Sequence, residues 1–420
     1  MHKEPALYRP VTPILPFLVA IFALSVVIGL VSACGGEEGE ETPTTASEVP
    51  GITDTEIVLG SHVALSGFYG AVYAPLMQSV QAYFDYVNAE QGGVCGRKIV
   101  LKVEDDAFEP AKAAEAARKL VERDNVFAIV AGVGTAPHSA VWDYLNDLGI
   151  PDLWIMSGAH KWGADPQAHP WSVGFLADYA VAGTIFGKYI SENLPGKKVA
   201  VAYENTDSGW DWLAGLKNGL DPNKNELVSE QSFEITDASI FSQVANMKNS
   251  GAEVALIFSL PGFSAQAIKG AARLGWHPQW FISYTNADPV MFRYVSPELM
   301  EGVLTLQGNK MYDWTDDPAI AEHHRIMEEY GGPTPSAFTV VGQSAAGLTV
   351  ETLSRTCDNL TREGLMDAVE SFKGFQGDLA LQGITITLSE TDHLAVEAMR
   401  MLRASDGKWE YFGELIHFRD

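Results

Sequence analysis

From Glu56 onward the chain alternates short, β-branched apolar runs with longer stretches that keep an apolar stripe at helical spacing. This is the βαβα grammar of a mostly parallel sheet covered on both faces, and it excludes all-α and all-β architectures. The strand candidates are residues 57–64, 99–105, 126–131, 153–156, 199–203, 254–258 and 280–283. The helix candidates are 73–88, 111–122, 180–193, 210–220, 241–249 and 264–274. That is more βα units than one compact domain usually takes. Residues 51–420 are also too many for one ordinary core, so the reading is a bilobed α/β body. A polar and aromatic loop between Met156 and Asp178 is long enough to be functional or interlobe, which places the first crossing near Trp171 to Phe175. Later, 317–330, 337–355 and 365–372 behind a Thr361 cap read as helices, and 384–388 and 396–402 as strands.

Ahead of this body, Phe17 to Leu30 form an apolar run ending in Val31-Ser32-Ala33-Cys34, followed at once by Gly35-Gly36-Glu37-Glu38. The run is about as long as a signal-peptide core and short for a membrane span of roughly 20 residues. The cysteine directly after Ser32-Ala33 resembles the lipobox of bacterial lipoproteins, so residues 1–33 are expected to be a cleaved lipoprotein signal and Cys34 the acylated first residue. Residues 34–50, rich in Glu, Thr, Gly and Pro, read as a disordered tether. The expected location is the outer face of the cytoplasmic membrane.

The formal charge is -26 for all 420 residues. Such acidity argues against nucleic acid, which needs a basic face. Besides Cys34 only Cys95 and Cys357 occur, without CxxC or histidine spacing, so no metal site and no cofactor are expected. An oxidising compartment allows either a Cys95 to Cys357 disulfide or two separate buried thiols. Catalytic sets are missing. Gly342 to Gly347 has one residue too many for GxSxG and falls in a helical pattern, no GxxxxGKS/T occurs, and Pro137 stands where the Gly132-Val133-Gly134 turn would need a third glycine to be a dinucleotide fingerprint. His323-His324 point about 100° apart on a helix, which suits an exposed face.

Three loops carry binding chemistry. Gly134-Thr135 is a glycine turn from strand into helix, with backbone N–H groups and a hydroxyl suited to an anion. Ser157-Gly158-Ala159-His160 follows the next strand, and the two loops together can hold a carboxylate at the strand ends. Ser66, Phe68 and Tyr69, beside Gly67 and Gly70, either wall a pocket or cap the core.

Gly51 to Gly60, Leu65-Ser66-Gly67 and Asn88 to Ile99 resemble the opening of the substrate-binding proteins of branched-chain amino acid ABC importers. Gly134-Thr135, Ser157 to Trp162, Pro170-Trp171, Phe175, Gln243 to Lys248 and Asp358 to Glu363 continue the likeness in order. The resemblance implies a type I periplasmic binding fold: two Rossmann-like lobes joined by three crossover strands, lobe 1 being 51–174 plus about 312–388 and lobe 2 being 175–311 plus about 389–420. It implies a monomeric, non-enzymatic receptor that closes on a carboxylate-bearing small molecule, a branched-chain or other amino acid, and delivers it to membrane permease subunits. Relatives grip the carboxylate through loops matching Gly134-Thr135 and Gly158-Ala159-His160, and the ammonium through an acid on the second lobe. Here the pattern breaks: no Glu stands near Tyr284-Thr285, and Ser208 replaces an aromatic. Either Asp207 or Asp288 pairs with the ammonium, or the ligand lacks an amine. The alternatives are an aromatic or aliphatic organic acid, or a ligand-sensing receptor domain.

Overall fold

The computed structural model describes residues 49–418. The lipobox, Cys34 and most of the tether lie outside them. Among the described residues no helix is long and apolar enough to cross a membrane.

Two sheets organise the chain. The first takes β1 (Glu56–Val63), β2 (Lys98–Asp105), β3 (Ala128–Val130), β4 (Asp152–Ile155) and β5 (Ser172–Gly174), all parallel, in the order β2-β1-β3-β4-β5. The second takes β6 (Lys198–Glu204), β7 (Glu226–Phe233), β8 (Val254–Phe258), β9 (Gln279–Ile282) and β10 (Leu304–Gln307), and adds an antiparallel hairpin of β11 (Ala398–Ser405) and β12 (Lys408–His417) at one edge. Its order, β12-β11-β10-β9-β8-β6-β7, repeats the first sheet's pattern. In both sheets the winding reverses between the first and third strands, and ligands bind in doubly wound folds outside the carboxyl ends of strands at that reversal. The chain passes between lobes after β5, after β10 and before β11.

The inner strands are buried on both faces, as helices on each side require. β3, β4 and β8 carry no exposed residue, which is why the segments around them read as near-continuous apolar runs. Four strands escaped the sequence reading, β12 among them, which is mostly exposed or half-exposed. β7 is mostly half-exposed and reads Glu-Leu-Val-Ser-Glu-Gln-Ser-Phe, while β5 and β10 are only 3 and 4 residues long. The chain leaves the first sheet after β5, which ends at Gly174. Residues 384–388 form no strand: Ile386 makes one isolated bridge to Phe375, and the segment joins neither sheet. His323 is fully buried, not exposed. Its ring nitrogens meet Gln343 and Thr339, and burial pushes its pKa down to about 4.

Helix ends follow their caps. Ser336 and Thr339 form a capping box for Ala337–Arg355, and the Thr361 hydroxyl accepts from Gly364 N at the start of Arg362–Glu370. A disulfide joins Cys95 to Cys357, tying the loop before β2 to the end of the Ala337–Arg355 helix across 262 residues of sequence. A loop that long loses much unfolded-chain entropy when closed. Replacing both cysteines with serine is expected to lower stability by about 2–4 kcal/mol, read as an earlier denaturant midpoint with ligand affinity unchanged.

Candidate functional site

Both reversal points open onto one cavity of about 490 Å³. On lobe 1, Gly134 has φ 96 and turns the chain from β3 into the short helix that begins at Thr135. The Thr135 hydroxyl lies 2.7 Å from the Ser157 hydroxyl, and the Tyr179 hydroxyl reaches both. Phe108 stacks on Tyr73 with ring centres 5.6 Å apart, and Tyr73 meets Phe338 edge-on, so the wall beside this polar corner is aromatic. Gly134 is the close approach that lets Phe108 in, since a Cβ there would lie 2.4 Å from its ring.

On lobe 2, Glu204 ends β6 and lines the cavity with its carboxyl buried. It accepts hydrogen bonds from Ser259 Oγ at 2.6 Å and Leu260 N at 3.3 Å, both just after β8. Burial outweighs these bonds and pushes the carboxyl up to about 7. Asp288 also lines the cavity and is also raised by burial, but its oxygens accept from Val290 N and from Phe338 N of the other lobe. Trp212 and Tyr284 complete the wall around Tyr179, with centre distances of 5.5 and 5.6 Å to its ring. No Lys, Arg or His is among the described residues that line this cavity.

Of the binding residues singled out in the sequence, Gly134, Thr135, Ser208, Tyr284, Thr285 and Asp288 line the cavity. Ser157 is buried behind Thr135. Gly158 touches the back of Tyr284, whose hydroxyl donates to the Ala177 carbonyl, and Ala159 is buried beside it. His160 sits at the rim, its ring nitrogen 2.5 Å from Asp178 and its backbone N donating to Asp211 of the second lobe. Asp207 is at the same rim, paired with Lys161 at 2.7 Å. The loop after β1 bridges the lobes instead of lining the cavity: Leu65 N and Ser66 N are held by Asp105, Phe68 packs on Gly262, and the Tyr69 hydroxyl donates to Ile235 O at 3.4 Å. Glu204 was missed. Its signal was an acid closing an otherwise apolar strand directly before the Asn205 to Gly209 turn, at the strand end that faces a ligand in this topology.

Residues 56–408 match the profile of the periplasmic binding protein family. The chain is similar to the Leu/Ile/Val-binding protein homolog 3 of Brucella melitensis, 23% identical over 371 residues that make up 84% of this chain and 92% of the relative. Among solved structures it is similar to a branched-chain amino acid ABC transporter protein from Thermus thermophilus with bound valine, at TM-score 0.79 and 21% identity, covering 88% of this chain and 99% of that one. It is similar as well to a fatty acid ABC transporter substrate-binding protein from Thermomonospora curvata, at TM-score 0.77 and 23% identity, covering 88% and 94%.

Proposed function

Because the chain belongs to the periplasmic binding protein family, whose members are substrate-binding proteins and not enzymes, we propose that it is the extracytoplasmic receptor of an ABC importer for a carboxylate-bearing small molecule with an amine. The observation that carries this is the pairing, on one cavity, of the Thr135 hydroxyl corner from lobe 1 with the Glu204 carboxyl from lobe 2, with no Lys, Arg or His among the described residues that line it. A ligand carboxylate alone would face Glu204 and Asp288 without a counter-charge, at a cost of several kcal/mol in a closed cleft. An ammonium on the ligand answers Glu204, while its carboxylate takes hydroxyl donors. The relatives' names, Leu/Ile/Val-binding and fatty acid, bracket the ligand with and without an amine. An acid without an amine is the second reading, favoured by a Glu204 carboxyl raised far enough to donate a proton of its own.

A thermal-shift screen of amino acids against aromatic and aliphatic acids tests the assignment, since ligand at 100 times its Kd adds about 2.7 kcal/mol of stability. Stabilisation by amino acids is expected. A shift with amine-free acids alone would reject the amine, and catalytic turnover of any compound would reject the receptor reading.

The lipid anchor belongs to the same proposal. Cys34→Ala is expected to move the protein from the membrane to the soluble fraction with its affinity unchanged, checked by fractionation and calorimetry. Retention at the membrane would count against acylation at Cys34.

A further inference from the structure

The cavity does not stop at the cleft. From Phe338 it follows the Ala337–Arg355 helix to Glu351, about 20 Å at 1.5 Å per residue. A branched-chain amino acid has about nine heavy atoms. Even at the roughly 30 Å³ that each whole water occupies in the liquid, it fills no more than about 270 Å³, against the cavity's 490 Å³.

The walls of this extension are mostly apolar: Leu76 and Tyr83 from the Gly67–Glu90 helix, Ile326 from Pro318–Glu329, and Phe375 and Ile386 from the segment leading back to lobe 2. Polar side chains along its middle are engaged elsewhere. Ser344 Oγ donates to Val340 O, and Gln343 Oε1 accepts from His323. Charge returns only toward the far end, at Glu322, Glu351 and Asp378, and Glu322 is already paired with Arg325 at 2.8 Å.

Two glycines of the Ala337–Arg355 helix separate packing from space. At Gly342 a Cβ would strike Ser79 Oγ at 2.2 Å and Leu76 O at 2.4 Å, so close helix contact demands glycine there. At Gly347 a Cβ would find only Tyr83, its hydroxyl at 3.8 Å. That is ordinary contact, and a mid-helix glycine costs helix stability relative to alanine. What the bare Gly347 preserves is the width of the channel.

We propose that this channel is a tail site, and that the ligand carries an unbranched alkyl chain along the Ala337–Arg355 helix beyond the head held in the cleft. The proposal rests on the receptor reading and specifies its substrate class as alkyl-tailed carboxylates. The source of the head is set by two arms of one calorimetric experiment, straight-chain 2-aminoalkanoates and straight-chain alkanoates, both used below their aggregation concentrations. In the arm whose head fits, affinity is expected to rise about fourfold per methylene until the channel is filled. Gly347→Leu, which narrows the channel without straining the helix, is expected to abolish the gain of the long members and leave the short ones unchanged, while Gly347→Ala keeps both. Affinity independent of chain length in both arms, or unchanged long-chain binding by Gly347→Leu, would overturn the tail site while leaving the receptor reading intact. Failure of every member, short and long, would overturn both.

Discussion

Affinity for an amine-bearing ligand is expected to fall about tenfold for each pH unit below about 7, and to be flat above it. The cause is Glu204. Burial raises its carboxyl from the ordinary 4.5 to about 7, so at pH 5 the ligand-free protein holds a proton that an incoming ammonium must displace. Asp288, the second acid on the lobe-2 side of the cleft, does not impose the same profile, because it keeps both oxygens on backbone donors. A ligand without an amine reverses the sign. Its carboxylate accepts from protonated Glu204, and affinity then rises as pH falls through 7. Titration calorimetry at pH 5, 6, 7 and 8 therefore separates the two head groups in one experiment. Glu204→Gln is expected to flatten either profile and to weaken an amine-bearing ligand by at least about a hundredfold, the loss typical when one partner of a buried ion pair is removed. The ligand-free stability moves the other way. Between 4.5 and about 7 the folded state binds more protons than the unfolded chain, so stability falls as pH rises through this window, by up to about 3 kcal/mol. Glu204→Gln is expected to remove that decline and to melt later than the parent at pH 8. An unchanged pH profile in the variant would dissociate Glu204 from the ligand.

The reach of the sequence into this molecule follows from where its signals are local. Buried parallel strands such as β8 declare themselves because both faces are apolar, and the helix beginning at Ala337 does so through its long helical pattern. The edge strand β7 depends on a partner strand more than 20 residues back, and the bridge at Ile386 is a single pair with Phe375, so no periodicity marks either. The same division runs through the site. Thr135 and Ser157 were legible because a glycine turn after a strand has a fixed meaning. Glu204 was not, because an acid at a strand's end is ordinarily solvated. Only the second lobe folded around it, with Ser259 and Leu260 donating, makes it a buried carboxyl. His160 and Asp207 stood next to the right loops, yet each finds a partner at the rim, which draws it away from the cavity.

Gly158→Ala is expected to weaken ligand binding by about a hundredfold while leaving both lobes folded. Gly158 follows β4 in lobe 1 and lies where a residue of lobe 2 must seat. A methyl there would stand 2.2 Å from the Tyr284 hydroxyl, 2.3 Å from the Ala177 carbonyl and 2.7 Å from the Tyr179 ring. Ala177 and Tyr179 belong to the crossing segment, fixed in part by the Tyr179 N to Gly158 O bond of 2.7 Å, so they yield little. Tyr284 has more freedom, and relief comes from its withdrawal along with the lobe-2 loop that carries Thr285. Overpacking of this kind costs about 1–3 kcal/mol, and here the closed arrangement bears it, so it appears as lost affinity. Small-angle scattering at saturating ligand is expected to give a larger radius of gyration for the variant than for the parent. Adding Tyr284→Phe removes the nearest clashing atom and should recover part of the affinity, although it also removes the hydroxyl's bond to Ala177. If Gly158→Ala bound ligand as tightly as the parent, the seating of Tyr284 behind the carboxylate corner would not be part of closure, and the division of the site between lobes would have to be redrawn.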